Sequence, residues 1–189
     1  MQTITPTEFK HGRLLLLEGS PYVVEEFHHT GTARTKPKIH TRLRNLRTGH
    51  RVERVFPETD RIPLAELQGH RVVFSYKQAD RFVFLDAVSF EELDLTAEQI
   101  GERHWFLKEN EEYRAWFLDG KLLDIELPDY VALKVEQTAA PRRGGADGAW
   151  KSARLENGME IMVPLHIAPG EVVRVDTRQG KYLRKEVAE

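Results

Sequence analysis

Apolar side chains in the first sixty residues fall near every second position, in runs too short for helices and broken by Gly, Pro and Asn. That spacing predicts strands over 13–17, 22–27, 39–46 and 51–56, with turns at Gly19 and at Thr48-Gly49. The longest interruption, 28–38, predicts a loop at the rim of a small twisted β barrel or half-barrel, and Pro57 and Pro63 mark the way out. A second group of strands is predicted over 71–76, 81–85, 113–118 and 121–125, with Asp119-Gly120 as a hairpin turn. Between them lies one short helix, opened by Thr96 with Gln99 three residues on, the spacing of a capping box. A third group is predicted over 131–137, 160–163, 171–175 and 181–187, turning at Asn157-Gly158 and Gln179-Gly180. Residues 142–148, Arg-Arg-Gly-Gly-Ala-Asp-Gly, have little to bury and predict a loop within this last group.

The pattern as a whole predicts an all-β chain of three small β-barrel modules, at 1–64, 65–128 and 129–189. Each is small enough to need its neighbours for stability. Trp105 and Trp116 sit among apolar residues and predict core packing. Trp150 borders the glycine-rich loop, where stacking on a nucleobase and packing across a barrel both remain open, and Tyr182 is open between core and surface in the same way.

Composition narrows the field further. An apolar share of 40% in 189 residues supports packed cores and excludes wholesale disorder. The absence of cysteine excludes thiol nucleophiles, disulfides and thiolate-held metals. No apolar run is long enough to span a bilayer and the first residues do not resemble a signal peptide, so a soluble, cytoplasmic chain without a membrane partner is expected. The net charge of -2 conceals an uneven distribution. Residues 28–54 hold eight Arg or Lys against the single acid Glu53, whereas 86–129 hold thirteen acids and four bases. A basic first module beside an acidic middle suits a protein that neutralises phosphates at one end.

The bland alternative is that these arginines decorate the polar face of a hairpin, which the alternation at Arg42 and Arg44 permits. Against it stands the run Thr30-Gly31-Thr32-Ala33-Arg34-Thr35-Lys36, where small residues flank an arginine at a projecting tip. Arginine carries a fixed charge and five donors but exchanges no proton near neutrality, so it suits phosphate contact rather than general base work.

Motifs of catalysis do not emerge: the chain lacks G-x-G-x-x-G, the P-loop lysine motif, H-E-x-x-H and G-x-S-x-G. Its serines at 20, 75, 89 and 152 stand beside no histidine and acid constellation. The acids at 91, 92, 94, 109, 111 and 112 read as solvated surface rather than a glycosidase pair. His28, His29, His40 and His50 match no common metal spacing. The expectation is a protein that is no enzyme and holds no cofactor and no metal.

Longer motifs carry a resemblance. Lys151-Ser152-Ala153, Gly158 through Glu171 (GMEIMVPLHIAPGE) and Val175 through Tyr182 (VDTRQGKY) closely resemble the C-terminal signature of bacterial elongation factor P. Phe9-Lys10-His11-Gly12, Pro21 through Glu25 and Leu43 through Glu53 are similar to its beginning, so the resemblance covers essentially the whole chain.

That resemblance implies an SH3-like (KOW-like) module followed by two OB-fold modules in an L-shaped, tRNA-like arrangement. It implies a monomer that binds both subunits of the 70S ribosome and its RNA beside the peptidyl tRNA, and stimulates peptide bond formation at proline-rich stalls. A nonribosomal OB-type protein binding RNA or tRNA is the alternative. On this chain the family's functional loop falls on Thr30–Lys36 and its tip on Arg34, with Thr30, Gly31, Thr32, Ala33, Thr35 and Lys36 as loop support. RNA contacts are expected from Lys38, Arg42, Arg44, Arg47 and Arg51, and in the third module from Arg142, Arg143, Gly144, Gly145 and Arg184. The latter group also points to mRNA at the exit site. The tip lacks the Pro-Gly-Lys-Gly setting of lysylated members and the Gly-Arg-Asn setting of rhamnosylated ones. It resembles instead an arginine-tipped, elongation factor P-like paralogue branch, with an arginine rhamnosyltransferase as the partner implied by the other outcome.

Overall fold

The structure is a computed structural model, and it describes residues 2–31, 36–140 and 150–187. It divides into two compact units, Met1–Gly101 with Glu109–Ile125, and Glu102–Lys108 with Glu126–Glu189.

The first unit opens with β1 (Thr3–Ile4) and a 3-10 turn at Pro6–Glu8, in which the Thr5 amide donates to Glu8 Oε2 at 2.7 Å. An antiparallel meander follows: β2 (Leu14–Leu17), β3 (Ser20–Thr30), β4 (Lys38–Asn45) and β5 (Arg51–Pro57). The strand β6 (Ile62–Pro63) returns to pair with β1. Alternation sends Leu15, Val24, Ile39, Leu43 and Phe56 inward, where they close a core with Ile4, Phe9 and Ile62.

Still within this unit, β7 (Gln68–Gln78), β8 (Arg81–Asp86), β9 (Glu92–Thr96), β10 (Glu112–Leu118) and β11 (Lys121–Glu126) form one antiparallel sheet in the order β11-β10-β7-β8-β9. Val72, Phe74, Phe84, Leu95, Ala115 and Phe117 are buried there. The predicted capping box forms: the Gln99 amide donates to Thr96 Oγ1 at 3.2 Å and the Thr96 amide to Gln99 Oε1 at 3.0 Å. The helix it opens, α1 (Ala97–Ile100), is a single turn, because Gly101 follows at φ 57° and the chain tightens into 3-10 turns over Gly101–Phe106.

The second unit is a sheet of β12 (Tyr130–Thr138), β13 (Trp150–Leu155), β14 (Glu160–Pro164), β15 (Val172–Asp176) and β16 (Tyr182–Lys185), ordered β14-β13-β12-β15-β16. Val135, Leu155, Ile161, Val163, Ile167, Val173 and Val175 form its core together with Phe106. Trp105 packs partly buried against the same core, and its carbonyl accepts from Asn157 Nδ2 at 2.6 Å. Trp116 is only half-buried, with the Arg114 guanidinium 4.4 Å above its ring.

Three local readings need correction. The loop expected over 28–38 loses both its ends to strands, because β3 and β4 stay paired out to Thr30 opposite Lys38. Cross-strand contacts hold that extension: His28 and His40 stack with ring centroids 5.0 Å apart at 11°. Besides the two-residue β1 and β6, two strands escape the pattern. The stretch preceding Asn157 is β13, whose Trp-Lys-Ser-Ala-Arg-Leu alternation is masked by small and charged residues, and β9 hides within an acidic run.

Candidate nucleic-acid interface

The basic segment lies on the β3–β4–β5 meander. Thr30 ends β3 and its Oγ1 donates to the Lys38 carbonyl at 3.4 Å, closing the foot of the loop. Gly31 faces Pro37 so closely that a β-carbon at 31 would lie 3.1 Å from Pro37 Cα, so a larger residue would have to push the two apart by a few tenths of an ångström. Lys36 and Lys38 are exposed at this foot. Thr32, Ala33, Arg34 and Thr35 lie outside the described residues, as do Arg142, Arg143, Gly144 and Gly145 in the second unit. Arg184 is exposed on β16.

The remaining arginines divide according to their partners. Arg47 stands exposed in the β4–β5 turn, and among the described residues neither it nor Lys38 is held in an ion pair. Arg42 is exposed but engages Glu26 at 2.8 Å, and Arg51 engages Glu25 at 2.7 Å. These two therefore meet phosphate only in competition with a carboxylate already in place.

Arg44 departs from the expectation. It is 9% exposed, with Nε 3.0 Å from Glu25 Oε1 and Nη2 3.1 Å from Asp124 Oδ2 on β11. Its charge is engaged inside the first unit, where it ties the meander to the neighbouring sheet.

Glu25 was missed by sequence reasoning, yet it organises this face. The register of β3 against β4 slips between Val24 and Glu26, so Glu25 is the extra residue of a bulge, which aims its carboxylate at both Arg44 and Arg51. The available signal was the break in alternation at Glu25-Glu26 after Val23-Val24. Burial alone would raise the Glu25 carboxyl, but the hydrogen bond and charge of Arg51, with the charge of Arg44, outweigh it and hold the group below the usual glutamate range. Reciprocally, the hydrogen bond to Glu25 raises Arg51.

A second tie lies in the turn after β4. Asn45 Oδ1 accepts from the amides of Arg47 and Thr48 at 2.8 and 3.2 Å, and Gly49 follows at φ 81°. A β-carbon on Gly49 would stand 2.5 Å from the Glu98 carbonyl oxygen, so only glycine lets the turn sit on α1. Gln99 Nε2 donates to the Leu46 carbonyl at 3.2 Å, and His50 Nε2 stands 2.5 Å from Glu98 Oε1. In the second unit, Trp150 is 42% exposed at the start of β13 and meets Tyr182 edge to face at 6.1 Å, while Tyr182 itself packs partly buried on the core.

Comparison with known proteins gives this arrangement its context. Elongation factor P of Microcystis aeruginosa is 39% identical over 184 residues, covering 97% of this chain and 100% of its own. The chain belongs to the elongation factor P family. Elongation factor P of Synechocystis is 35% identical over 186 residues, covering 98% of this chain and 100% of its own, and that of Acaryochloris marina is 39% identical over 184. Family models match in sequence order: the elongation factor P KOW-like domain over 5–62, the elongation factor P OB domain over 67–125 and the elongation factor P C-terminal domain over 131–185. A solved structure described as eukaryotic translation initiation factor 5A from Methanococcus jannaschii aligns with a TM-score of 0.49 at 15% identity, over 66% of this chain and 92% of that one. The three β-rich domains are thus those of elongation factor P, and the protein is a translation elongation factor. No helix among the described residues is long and apolar enough to cross a membrane.

Proposed function

We propose that this member of the family binds the ribosome beside the peptidyl tRNA and speeds peptide bond formation at runs of proline, with Arg34 stabilising the CCA end. The observation that supports this most is the β3–β4 hairpin. It stays paired to its last residues, Thr30 and Lys38, with Lys36 and Lys38 exposed there. Arg34 lies midway between Thr30 and Lys38 in the sequence. A cation there lowers the freedom of a poorly placed peptidyl-prolyl ester, so that attack is better oriented while the chemistry stays with the ribosome.

In this reading Arg34 works unmodified, as in an arginine-tipped paralogue branch. An arginine side chain has no amine to receive a lysyl group, and Thr32-Ala33-Arg34-Thr35 lacks the flanking Gly and Asn of rhamnosylated members. Lys38 and Arg47, free of carboxylates, make the first-domain phosphate contacts, with Arg42 and Arg51 secondary. Arg142, Arg143, Gly144, Gly145 and Arg184 supply the third-domain RNA contacts in this reading, with mRNA at the exit site as their partner. The three domains run 1–64, 65–128 and 129–189, a division supported by family matches that fall inside each.

The test is reconstituted translation of a Pro-Pro-Pro reporter lacking other elongation factor P, with protein made in a host without arginine rhamnosyltransferase. Wild type relieves the stall and Arg34→Ala does not. Rescue only by protein from the native host, with a mass increment on the Arg34 peptide, would assign the chain to the rhamnosylated members instead.

A further inference from the structure

The turn between β8 and β9 carries a feature that RNA binding does not use. Val88 is 87% exposed and Phe90 74%, two residues apart on one tight turn. Phe90 also lies at φ 59°, in the left-handed region, where a bulky aromatic is an outlier and costs conformational energy. The turn is nevertheless firmly built. Asp86 Oδ1 accepts from the amides of Val88 and Ser89 at 2.8 and 2.9 Å, and the Phe90 amide donates to the Asp86 carbonyl at 3.0 Å. The Asp86 amide in turn donates to the Glu91 carbonyl at 3.0 Å. Folding alone would favour Gly or Asn at such a position and polar side chains beside it. Here the turn holds a strained ring and an isopropyl group out in water.

The surroundings select the kind of partner. Asp86, Glu91 and Glu92 flank the tip, within a segment of thirteen acids and four bases, so the turn repels phosphate. An apolar tip with acidic neighbours on the chain is complementary to a protein pocket with a basic rim. We propose that the Val88–Phe90 turn is a docking knob for a basic protein of the ribosome, with Phe90 seated in an apolar pocket and Glu91 and Glu92 facing Lys or Arg at its edge. This rests on the ribosome-binding reading above and assigns a separate, protein-facing contact to the central domain.

The variants Phe90→Gly, Phe90→Asn and Val88→Thr test it, each measured for melting temperature and for sedimentation with 70S ribosomes at fixed salt. The two Phe90 variants relieve the left-handed strain and are expected to melt at or above the wild-type temperature, yet to bind ribosomes about tenfold or more weakly, as loss of a buried aromatic implies. A photoreactive benzoylphenylalanine at position 90 is expected to cross-link to ribosomal protein. Undiminished affinity in all three variants, or cross-links confined to ribosomal RNA, overturns the inference while leaving the ribosome-binding reading intact. Failure of the wild type itself to bind ribosomes overturns both.

Discussion

Among the basic residues of the first domain, partners decide what each charge does. Arg44 sits in a nearly closed site between Glu25 and Asp124, so its removal takes a guanidinium away from the buried Asp124 carboxylate and leaves Glu25 to Arg51. Arg44→Ala is expected to cost about 3 kcal/mol or more in urea unfolding, whereas Arg42→Ala, whose pair with Glu26 is exposed, should stay within about 1 kcal/mol. Equal losses would remove the distinction drawn between them. Glu25 adds a pH signature. Because its carboxyl is lowered on folding, its contribution is fully present above the ordinary glutamate value of about 4.5 and is lost as pH falls through the lower folded value. Glu25→Gln should therefore lower stability at neutral pH and flatten the acid limb below that value; parallel acid limbs for variant and wild type would speak against the assignment.

The strands themselves were largely legible, because alternation is a property of short sequence windows. Their ends and bends were less so. Each of the long strands β3, β7 and β12 carries a register slip, at Val24/Glu26, Phe74/Tyr76 and Val135/Gln137, which lets one strand curve through its sheet. Such slips depend on cross-strand pairing and leave only a faint break in the local pattern. The same limit explains Arg44, whose place in the alternation looks like that of Arg42 until Asp124, eighty residues away, is brought beside it. Gly49 could be read as a turn glycine, but not as the residue that admits α1. Gly49→Ala combines left-handed strain with a clash against the Glu98 carbonyl and should destabilise by about 2 kcal/mol or more. Gly120→Ala, also left-handed but with nothing within 4 Å of the added carbon, should cost clearly less. Comparable melting temperatures for the two would show that the turn does not rest on α1 as described.

For the molecule as a whole, charge distribution matters more than net charge. A chain of -2 overall holds eight Arg or Lys against one acid in 28–54, and the acidic segment 86–129 discourages indiscriminate adhesion to RNA. Ribosome affinity should fall with salt, and Lys38→Ala with Arg47→Ala should reduce the slope of log affinity against log salt by about 2, roughly one for each phosphate left without its cation. Arg42→Ala with Arg51→Ala should change it less, because those guanidinium groups are already neutralised by Glu26 and Glu25. The reverse ranking would place the RNA on the ion-paired face.

The most direct measurement is the rate of Pro-Pro-Pro synthesis on purified ribosomes carrying unmodified wild type or Arg34→Ala, compared at equal ribosome occupancy. The account predicts stall relief by the wild type and its loss in the variant, with occupancy little changed. Full relief by Arg34→Ala at the same occupancy would contradict it, since the hairpin would then serve the ribosome without the charge at its tip.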